Sequence, residues 1–575
     1  MNHVEIVEHL VATGFNATLN ESSDCLSVSF DINCQKATLL HRFPEGKLIE
    51  KLPVFSLADP LQFGHLAHLM YGADKQIAAI CAGDNGTVSI NYDVPTLVYE
   101  YALNRQIELV RRAATDAGWN HAELIREFSP NWALICDKTV CPTLYCAASD
   151  DDNEHVQTKT PVPKEEFGLQ SKLLALAEPL SHGEVFKAIR HSAKWDSRPV
   201  SGKTIMLDLS TIEPAPLLAD DVPRWYANAV KSLTTSSVNR FNRYARLKSK
   251  RHWVIFNAST PTGIARCAVR FDSLGNNKRS IPLSEVDCKL WEINPVEVAV
   301  LDRDRLLPRS GALTELHEKS ILIVGCGSVG SELATAMACT GVGEIHLSDP
   351  DNFSSDNLYR HTLGLSSVDL PKSVCVAHDL SLRYPWIVTQ WDQETLQLKT
   401  DVEKLNQYEL IVVAIGAPTI ERQFHDFVTT NDVKTPILYT WLEGYGIGGH
   451  AVLDIPESQG CLRCAYLDPD TCEQGLASNL NFLSPNQDIT TTLAGCGHQF
   501  IPYSGVSAKT TAAMAAEMAM GYLNGLNTES SRVSWRGSEQ AALAAGLSVS
   551  YRYHSFTQSL RVEPLKNREC DVCVG

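Results

Sequence analysis

No stretch of this chain is apolar for about 18 residues in a row, the length that a membrane-spanning helix needs. No secretory signal opens it either, since Met1–Leu10 (MNHVEIVEHL) is polar and acidic rather than basic and then apolar. Positive charge is in short supply: 50 Lys and Arg stand against 67 Asp and Glu, a net charge of −17. A phosphate polymer is repelled by that balance, so general nucleic-acid binding is not expected. Internal repeats and long low-complexity tracts are absent. What remains is a chain of ordinary globular composition, 44% hydrophobic and 20% charged, and a cytoplasmic location is expected of it. Its 575 residues predict about three or four domains. Seventeen cysteines without a secretory signal belong in a reducing compartment. They are expected to be metal ligands, catalytic thiols or core residues rather than disulfides.

The rest of the chain is organised around residues 321–372. An apolar strand, Ile321–Val324, runs into Gly325-x-Gly327-x-x-Gly330 and an Ala-rich helical run, Ser331–Thr340. A second strand, Glu344–Ser348, ends at Asp349. Strand, Gly-rich turn, helix, strand and terminal acid form the pattern of a nucleotide-binding βαβ unit. Backbone N–H groups at the helix N-terminus face phosphates, and the carboxylate takes the ribose hydroxyls. NAD is disfavoured as the ligand. Beyond Asp349 come Asp351, Asn357-Leu358-Tyr359-Arg360-His361 and Pro371-Lys372. A dehydrogenase has no use for this cation pair, whereas Arg360 and Lys372 suit the β- and γ-phosphates of a nucleoside triphosphate.

GCGSVGSELA, DPD, NLYRH and PK, in this order and spacing, resemble the adenylation domain of ThiF/MoeB and ubiquitin-activating enzymes. The resemblance covers about residues 315–575. It implies adenylation of the C-terminal carboxylate of a ubiquitin-like protein with ATP and Mg²⁺. Asp349 would bind the ribose, Asn357 and Arg360 the phosphates, and Lys372 the phosphates at the reacting centre. One departure concerns the metal. After the apolar strand Leu410–Ala414 the family carries an Asp that holds Mg²⁺. Here the chain reads Ile415-Gly416-Ala417-Pro418-Thr419, with no acid before Glu421, which leaves Asp351 as a substitute.

The N-terminal region reads as a helix over residues 2–14, strands at Cys25–Ile32, Lys36–Arg42, Ile49–Phe55 and Ile77–Cys81, and helices at Val94–Ala117 and Asn120–Ile135. That order is α+β. AAICAGDNGTVSINYDVP, LVYEYALNRQIELV, Glu127-Phe128 and Trp132 resemble the divergent bacterial ubiquitin-conjugating domains fused in front of ThiF-type domains. Cys81 sits where that family keeps its thioester cysteine, and the Gly-Asp-Asn-Gly loop after it would expose the thiol. The family's His-Pro-Asn tripeptide is missing; Asn85 and Asn91 are the nearby amides. A buried strand-end cysteine is the plain alternative. Cys25, Cys34, Cys136, Cys141 and Cys146 read as structural on the same ground.

Charged, Pro-containing segments at residues 149–154 and 158–166 mark a linker. Beyond it, Thr204–Leu209, His252–Asn257 and Ile264–Phe271 read as strands, and Leu173–Leu180 and Val185–Lys194 as helical pieces. The basic cluster Arg240–Arg251, with Phe241 and Tyr244 interleaved, reads as a solvated helix face or a contact to an acidic partner rather than a nucleic-acid site. By resemblance this is the linker domain of activating–conjugating fusions, with a decayed adenylation half as the alternative ancestry. The domains expected are 1–148, conjugating-like; 149–310, linker; and 311–575, Rossmann-like adenylation. The whole is a multidomain chain of α/β and α+β class. Arg303, Arg305 and Arg309 precede the Rossmann strand, where the family places an Arg that reaches a partner subunit's ATP.

Leu410–Ala414 and Pro436–Thr440 read as buried strands. Gly-rich Gly444–His450 suggests close backbone approach to a ligand or an inserted peptide tail, or else a β-bulge. Cys461-x-x-Cys464 and Cys570-x-x-Cys573 supply four thiolates, the set that tetrahedral structural Zn²⁺ takes. AGCGHQFIPYSG resembles the ThiF-type site where a cysteine precedes a Phe-x-Pro turn and a helix. Cys496 would there take the acyl group from AMP, with His498 assisting proton movement and Cys472 as the second choice.

The order of parts is similar to the activating–conjugating fusions of anti-phage CBASS operons, which activate the C-terminus of a cyclic-nucleotide synthase. It is also similar to activating enzymes of bacterial ubiquitin-like conjugation operons. The resemblance implies acyl-AMP formation, transfer to Cys496, then Cys81, then a target lysine. It implies ATP, Mg²⁺ and Zn²⁺, a homodimer, and a separate conjugating enzyme or deconjugating peptidase as further partners. Sulfur-carrier activation, an N-terminal domain that only docks, and an NAD-dependent oxidoreductase are the alternatives, in that order.

Overall fold

Short alternating strands between residues 16 and 80 close into an antiparallel sheet because each buries one face. The spatial order is 16–19, 25–32, 35–42, 56–58, 77–80, 69–71. In this computed structural model the described residues are 2–44, 49–72, 75–83, 89–148, 156–159, 174–179, 202–301, 303–311, 313–384, 386–468, 470–492, 499–557 and 562–565. Those up to 301 fall in one compact unit and those from 303 in another.

In the first unit the helices His3–Ala12 and Pro95–Thr115 cover the sheet, and Ile6, Leu10, Val98, Leu103 and Ile107 meet Leu26, Val28 and Leu39 in one core. Two expectations are corrected here. Ile49–Phe55 forms no strand; the strand is Ser56–Ala58. The reason is side-chain competition for the backbone. Buried Gln106 donates to Pro53 O and accepts from Phe55 N, both at 2.8 Å, while the His41 ring bonds Val54 O. The two expected helices after residue 94 are three, Pro95–Thr115, Ala117–Arg126 and Phe128–Leu134. Asp116 leaves helical geometry and its carboxylate caps Trp119 N at 2.9 Å.

A second core begins at Phe128. Phe128 and Trp132 pack with Trp225, Tyr226, Phe256 and Phe271, so the packing boundary lies near residue 127 while the linker composition lies near 149. The sheet here runs Lys203–Leu209, Arg251–Thr260, Gly263–Ser273, Trp291–Val296. Leu174–Pro179 is a strand, not the expected helix: it lies parallel to Thr143–Cys146 and antiparallel to Val156–Lys159. Those two neighbours outweigh the helical propensity of its leucines and alanines. The expected helix at residues 185–194 lies outside the described residues. In the basic cluster, Phe241 and Tyr244 are core residues, and Arg240 is paired with Asp208, so no exposed aromatic is available there for base stacking.

The second unit holds an eight-stranded sheet. Its order is Val388–Asp392, Glu344–Ser348, Ser320–Val324, Leu410–Val413, Ile437–Leu442, Gly448–Asp454, Ser531–Arg536, Val562–Pro564. The first five are parallel and the rest antiparallel. Counted along the chain, the parallel strands stand in the order 3-2-1-4-5, so the winding reverses between Ser320–Val324 and Leu410–Val413. Ligands of open α/β sheets bind at that reversal, beyond the carboxyl ends of the strands. Helices Ser328–Thr340 and Gly505–Leu523 share one core on one face, through Leu333, Met337, Ala512, Ala515 and Ala519. Phe424 and Val428 of Pro418–Thr430 belong to the core that includes Ile411 and Val413. Among the described residues no helix is long and apolar enough to cross a membrane.

Candidate functional site

The Gly-rich turn occupies the reversal point. Gly325 has φ +96°, and a Cβ there would lie 2.6 Å from Ala414 O. A Cβ on Gly330 would lie 1.8 Å from Gly325 O, so the turn closes only with glycine at both places. Gly327 meets nothing within 4 Å, which leaves the side where phosphates would approach open. Cys326, between the glycines, is fully buried, and burial holds its thiol well above the usual range. Its contribution is the peptide, held at both ends: Cys326 N donates to Asp349 Oδ2 at 2.6 Å, and His361 Nε2–H donates to Cys326 O at 2.7 Å.

Asp349 is buried, and its other oxygen accepts from Asp351 N at 2.8 Å. Burial raises its pKa, partly offset by these two N–H donors. Each oxygen keeps a lone pair for a ribose hydroxyl. Lys372 Nζ pairs with Asp351 at 2.9 Å, and the two turns are zipped together by Lys372 N to Asp351 O at 3.0 Å. Asn357 has its amide oxygen turned to Ser354 N and Oγ, leaving its NH₂ for an anion. Arg360 stacks on the Tyr503 ring, and its Nε is buried without a hydrogen-bond partner among the described residues. Glu421, the first acid after the Leu410–Val413 strand, is 2% exposed and accepts from Ala417 N at 3.2 Å. Burial pushes its carboxyl up to about 7. It serves its own turn, and Asp351 is the exposed acid on this side.

His361 and Tyr503 were not assigned roles from sequence. His361 stands inside the NLYRH motif, but its partner, the Cys326 carbonyl, lies 35 residues back, and burial pushes the ring down to about 4, so it is the neutral Nε2–H tautomer. Leu363 N donates to its Nδ1 at 3.1 Å.

The Gly444–His450 stretch is corrected in part. Gly448 and Gly449 are approached by the chain's own Phe482 ring, Thr511 and Trp535, so close packing within the unit explains both glycines. Tyr445, at φ 59°, turns the chain ahead of them. Glu443 accepts from Phe482 N at 2.6 Å and Leu483 N at 2.9 Å and bonds buried His450 at 2.8 Å, fixing the loop that leads toward residue 492. Cys496, with Gly495, Gly497 and His498, lies outside the described residues; Cys472 is exposed.

Cys461 and Cys464 are buried on a single turn, with Cys464 N donating to Cys461 O at 3.0 Å. Cys570 and Cys573 lie outside the described residues, and among those described no group of three metal-binding side chains gathers. Leu565, however, shares the core of Cys461 and Cys464, and Cys570 follows five residues later.

In the first unit Cys81 is exposed at the end of the Ile77–Ile80 strand, and its N–H donates to His68 O at 2.8 Å. His68 is held between Glu127 at 2.7 Å and Glu123 at 3.3 Å, over the Trp119 ring. Burial alone would lower the His68 pKa; the Glu127 and Glu123 contacts outweigh it and the pKa is raised. Asn85 lies outside the described residues, and the Asn91 amide oxygen accepts from Asp93 N.

The ThiF family matches residues 302–571. The ATP-dependent ubiquitin transferase-like protein Cap2 of Vibrio cholerae is 26% identical over 253 residues, 41% of this chain and 40% of that protein. Cap2 of Pseudomonas aeruginosa is 25% identical over 291 residues, 49% of this chain and 48% of that protein. The chain therefore matches about half or less of the length of these relatives. The solved structure of E. coli MccB is 17% identical, covers 45% of this chain and 68% of that one, and has a TM-score of 0.33, too slight a likeness to build on. Residues 302–571 are a ThiF-family domain, of the type found in bacterial ubiquitin-activating-like proteins.

Proposed function

We propose that this protein adenylates the C-terminal carboxylate of a ubiquitin-like protein or cyclic-nucleotide synthase, and passes the acyl group through Cys496 and Cys81 to a target lysine. The observation that carries the first step is the constellation at the reversal point: an open Gly-rich turn, a buried ribose acid in Asp349, and the cations Arg360 and Lys372. The cations neutralise the triphosphate and pin it, so that the incoming carboxylate meets the α-phosphate in line and pyrophosphate leaves. Mg²⁺ enters with ATP as part of the substrate, with Asp351 as the exposed acid beside it. The similarity to Cap2 supports a place in bacterial anti-phage defence of the CBASS kind.

The relay rests on the thiols. Acyl-AMP is attacked by the Cys496 thiolate, a thioester forms and AMP leaves. Cys81 exchanges with it, and a lysine amine then displaces the thiol to form an amide. The exposure of Cys81 at a strand end supports its part. A zinc ion held by Cys461, Cys464, Cys570 and Cys573 would be structural, its four thiolates closed to substrate. A homodimer is part of the same reading.

The test is intact mass under non-reducing conditions, with ATP, Mg²⁺ and the small protein or cyclase encoded beside the gene. A thiol-sensitive adduct is expected. It disappears in Cys496→Ala and stops one step short in Cys81→Ala. Adenylate with no thioester on either cysteine would favour sulfur-carrier activation instead. That second reading is supported by similarity to the adenylyltransferase and sulfurtransferase UBA4 of Candida albicans, 25% identical over 174 residues. Conjugation that survives Cys81→Ala would reduce the first unit to a docking module.

A further inference from the structure

Tyr503 stands in the AGCGHQFIPYSG stretch with no role of its own assigned there, yet it touches two parts of the phosphate side at once. Its hydroxyl is 3.1 Å from Ser328 Oγ, at the first residue of the helix that follows the Gly-rich turn. Its ring lies under the Arg360 guanidinium, 4.9 Å from ring centroid to the central carbon. The backbone holds it there. Pro502 O accepts from Tyr445 N at 2.5 Å, and Ser504 caps the helix Gly505–Leu523. Gly505 comes so close to the Arg360 loop that a Cβ would lie 2.9 Å from Tyr359 O.

We infer that Tyr503 is a positioning residue for ATP, setting the plane of Arg360 so that its N–H edge faces the triphosphate. This rests on the adenylation reading above. An arginine side chain has several freely turning bonds, and a phosphate clamp needs one plane. An aromatic face fixes that plane without using any of the five donors. The buried Arg360 Nε has no hydrogen-bond partner among the described residues. The Ser328 contact anchors the ring against the turn that Arg360 serves.

The experiment compares the full-length wild type with Tyr503→Leu, Tyr503→Phe, Arg360→Ala and the double variant Tyr503→Leu/Arg360→Ala. Binding of a non-hydrolysable ATP analogue is read by calorimetry, and KM for ATP and kcat by pyrophosphate exchange. Thermal melts establish that each variant is folded. Tyr503→Leu is expected to weaken the analogue about tenfold and to raise KM more than it lowers kcat. Tyr503→Phe, which keeps the ring, recovers most of that loss. In the Arg360→Ala background, Tyr503→Leu costs nothing further, because its effect passes through the guanidinium. Unchanged binding in Tyr503→Leu, or an equal loss in both backgrounds, overturns the inference. If the wild type itself neither binds the analogue nor exchanges pyrophosphate, the adenylation reading fails first, a distinct outcome.

Discussion

A glutamate buried behind the end of a central strand has to be neutral or partnered. Glu421 has a backbone donor in Ala417 N and a carboxyl raised from 4.5 to about 7. Because the folded value is the higher one, its contribution to stability is whole below pH 4.5 and is lost as pH rises through about 7. Glu421→Gln removes that slope. Relative to wild type, it should gain on the order of 2–3 kcal/mol between pH 5 and pH 8, read by urea unfolding at both values. An equal difference at both would show that the carboxyl is already ionised at pH 5. The position of Glu421 was legible in the sequence as the first acid after the strand, but its inward turn was not, since a carboxylate's orientation depends on which N–H groups are left over. Asp349, by contrast, announced itself, because strand–turn–helix–strand spacing alone puts it beside the Gly-rich turn. His361 shows the limit of spacing. Its motif is local, but the carbonyl it holds belongs to another turn.

At the scale of elements, two short segments carry the candidate chemistry on borrowed supports. The end of the Cys81 strand is tied through His68 to Glu123 of the helix Ala117–Arg126 and to Glu127 just beyond it. The His68 pKa is raised, so the clasp's contribution is whole below pH 6.5 and declines as pH rises through the folded value. His68→Gln should therefore destabilise the protein more at pH 6 than at pH 8.5, seen in thermal melts; the reverse order would mean that the imidazole is neutral in the fold. The Cys461–Cys464 turn is the other case. Metal analysis of the purified chain is expected to find about one zinc per chain, and Cys461→Ser to lose it together with several degrees of melting temperature. Zinc retained in Cys461→Ser would put the metal elsewhere. Spacing makes the two pairs read as a ligand set; of the four, the structure describes Cys461 and Cys464, buried in the core that holds Leu565. The segment 174–179 is the opposite case, in which neighbours override the local pattern. Its composition favours a helix, and only its two strand neighbours make it a strand.

For the whole molecule, the proposal makes one dependence absolute: nothing reaches either thiol without the nucleotide site. Asp349→Ala is expected to abolish adducts on both Cys496 and Cys81, whereas Cys81→Ala leaves the first in place, with intact mass as the readout. An adduct on Cys81 in Asp349→Ala would uncouple the first unit from the second. The two units also differ in what they disclose. The parallel sheet of the second follows from βαβ periodicity, in which each strand is bounded by its own turn signals. The first unit divides between two cores near residue 127, inside what reads as one helical run.

By itself the sequence determined the strand–turn–helix–strand unit: Gly325, Gly327, Gly330 and Asp349 stand within one stretch, with Arg360 and Lys372 close behind, and the turn they build follows from short-range geometry that any chain of this pattern must adopt. The tertiary structure alone decided that Tyr503 underlies Arg360, that Gln106 takes the backbone of Pro53 and Phe55, and that Phe482 and Trp535 fill the space left by Gly448 and Gly449. The physical reason is common to all three. Each is a contact between segments far apart in the chain, chosen by which buried polar group or void remained to be satisfied once the sheets had formed, and no local pattern records that choice.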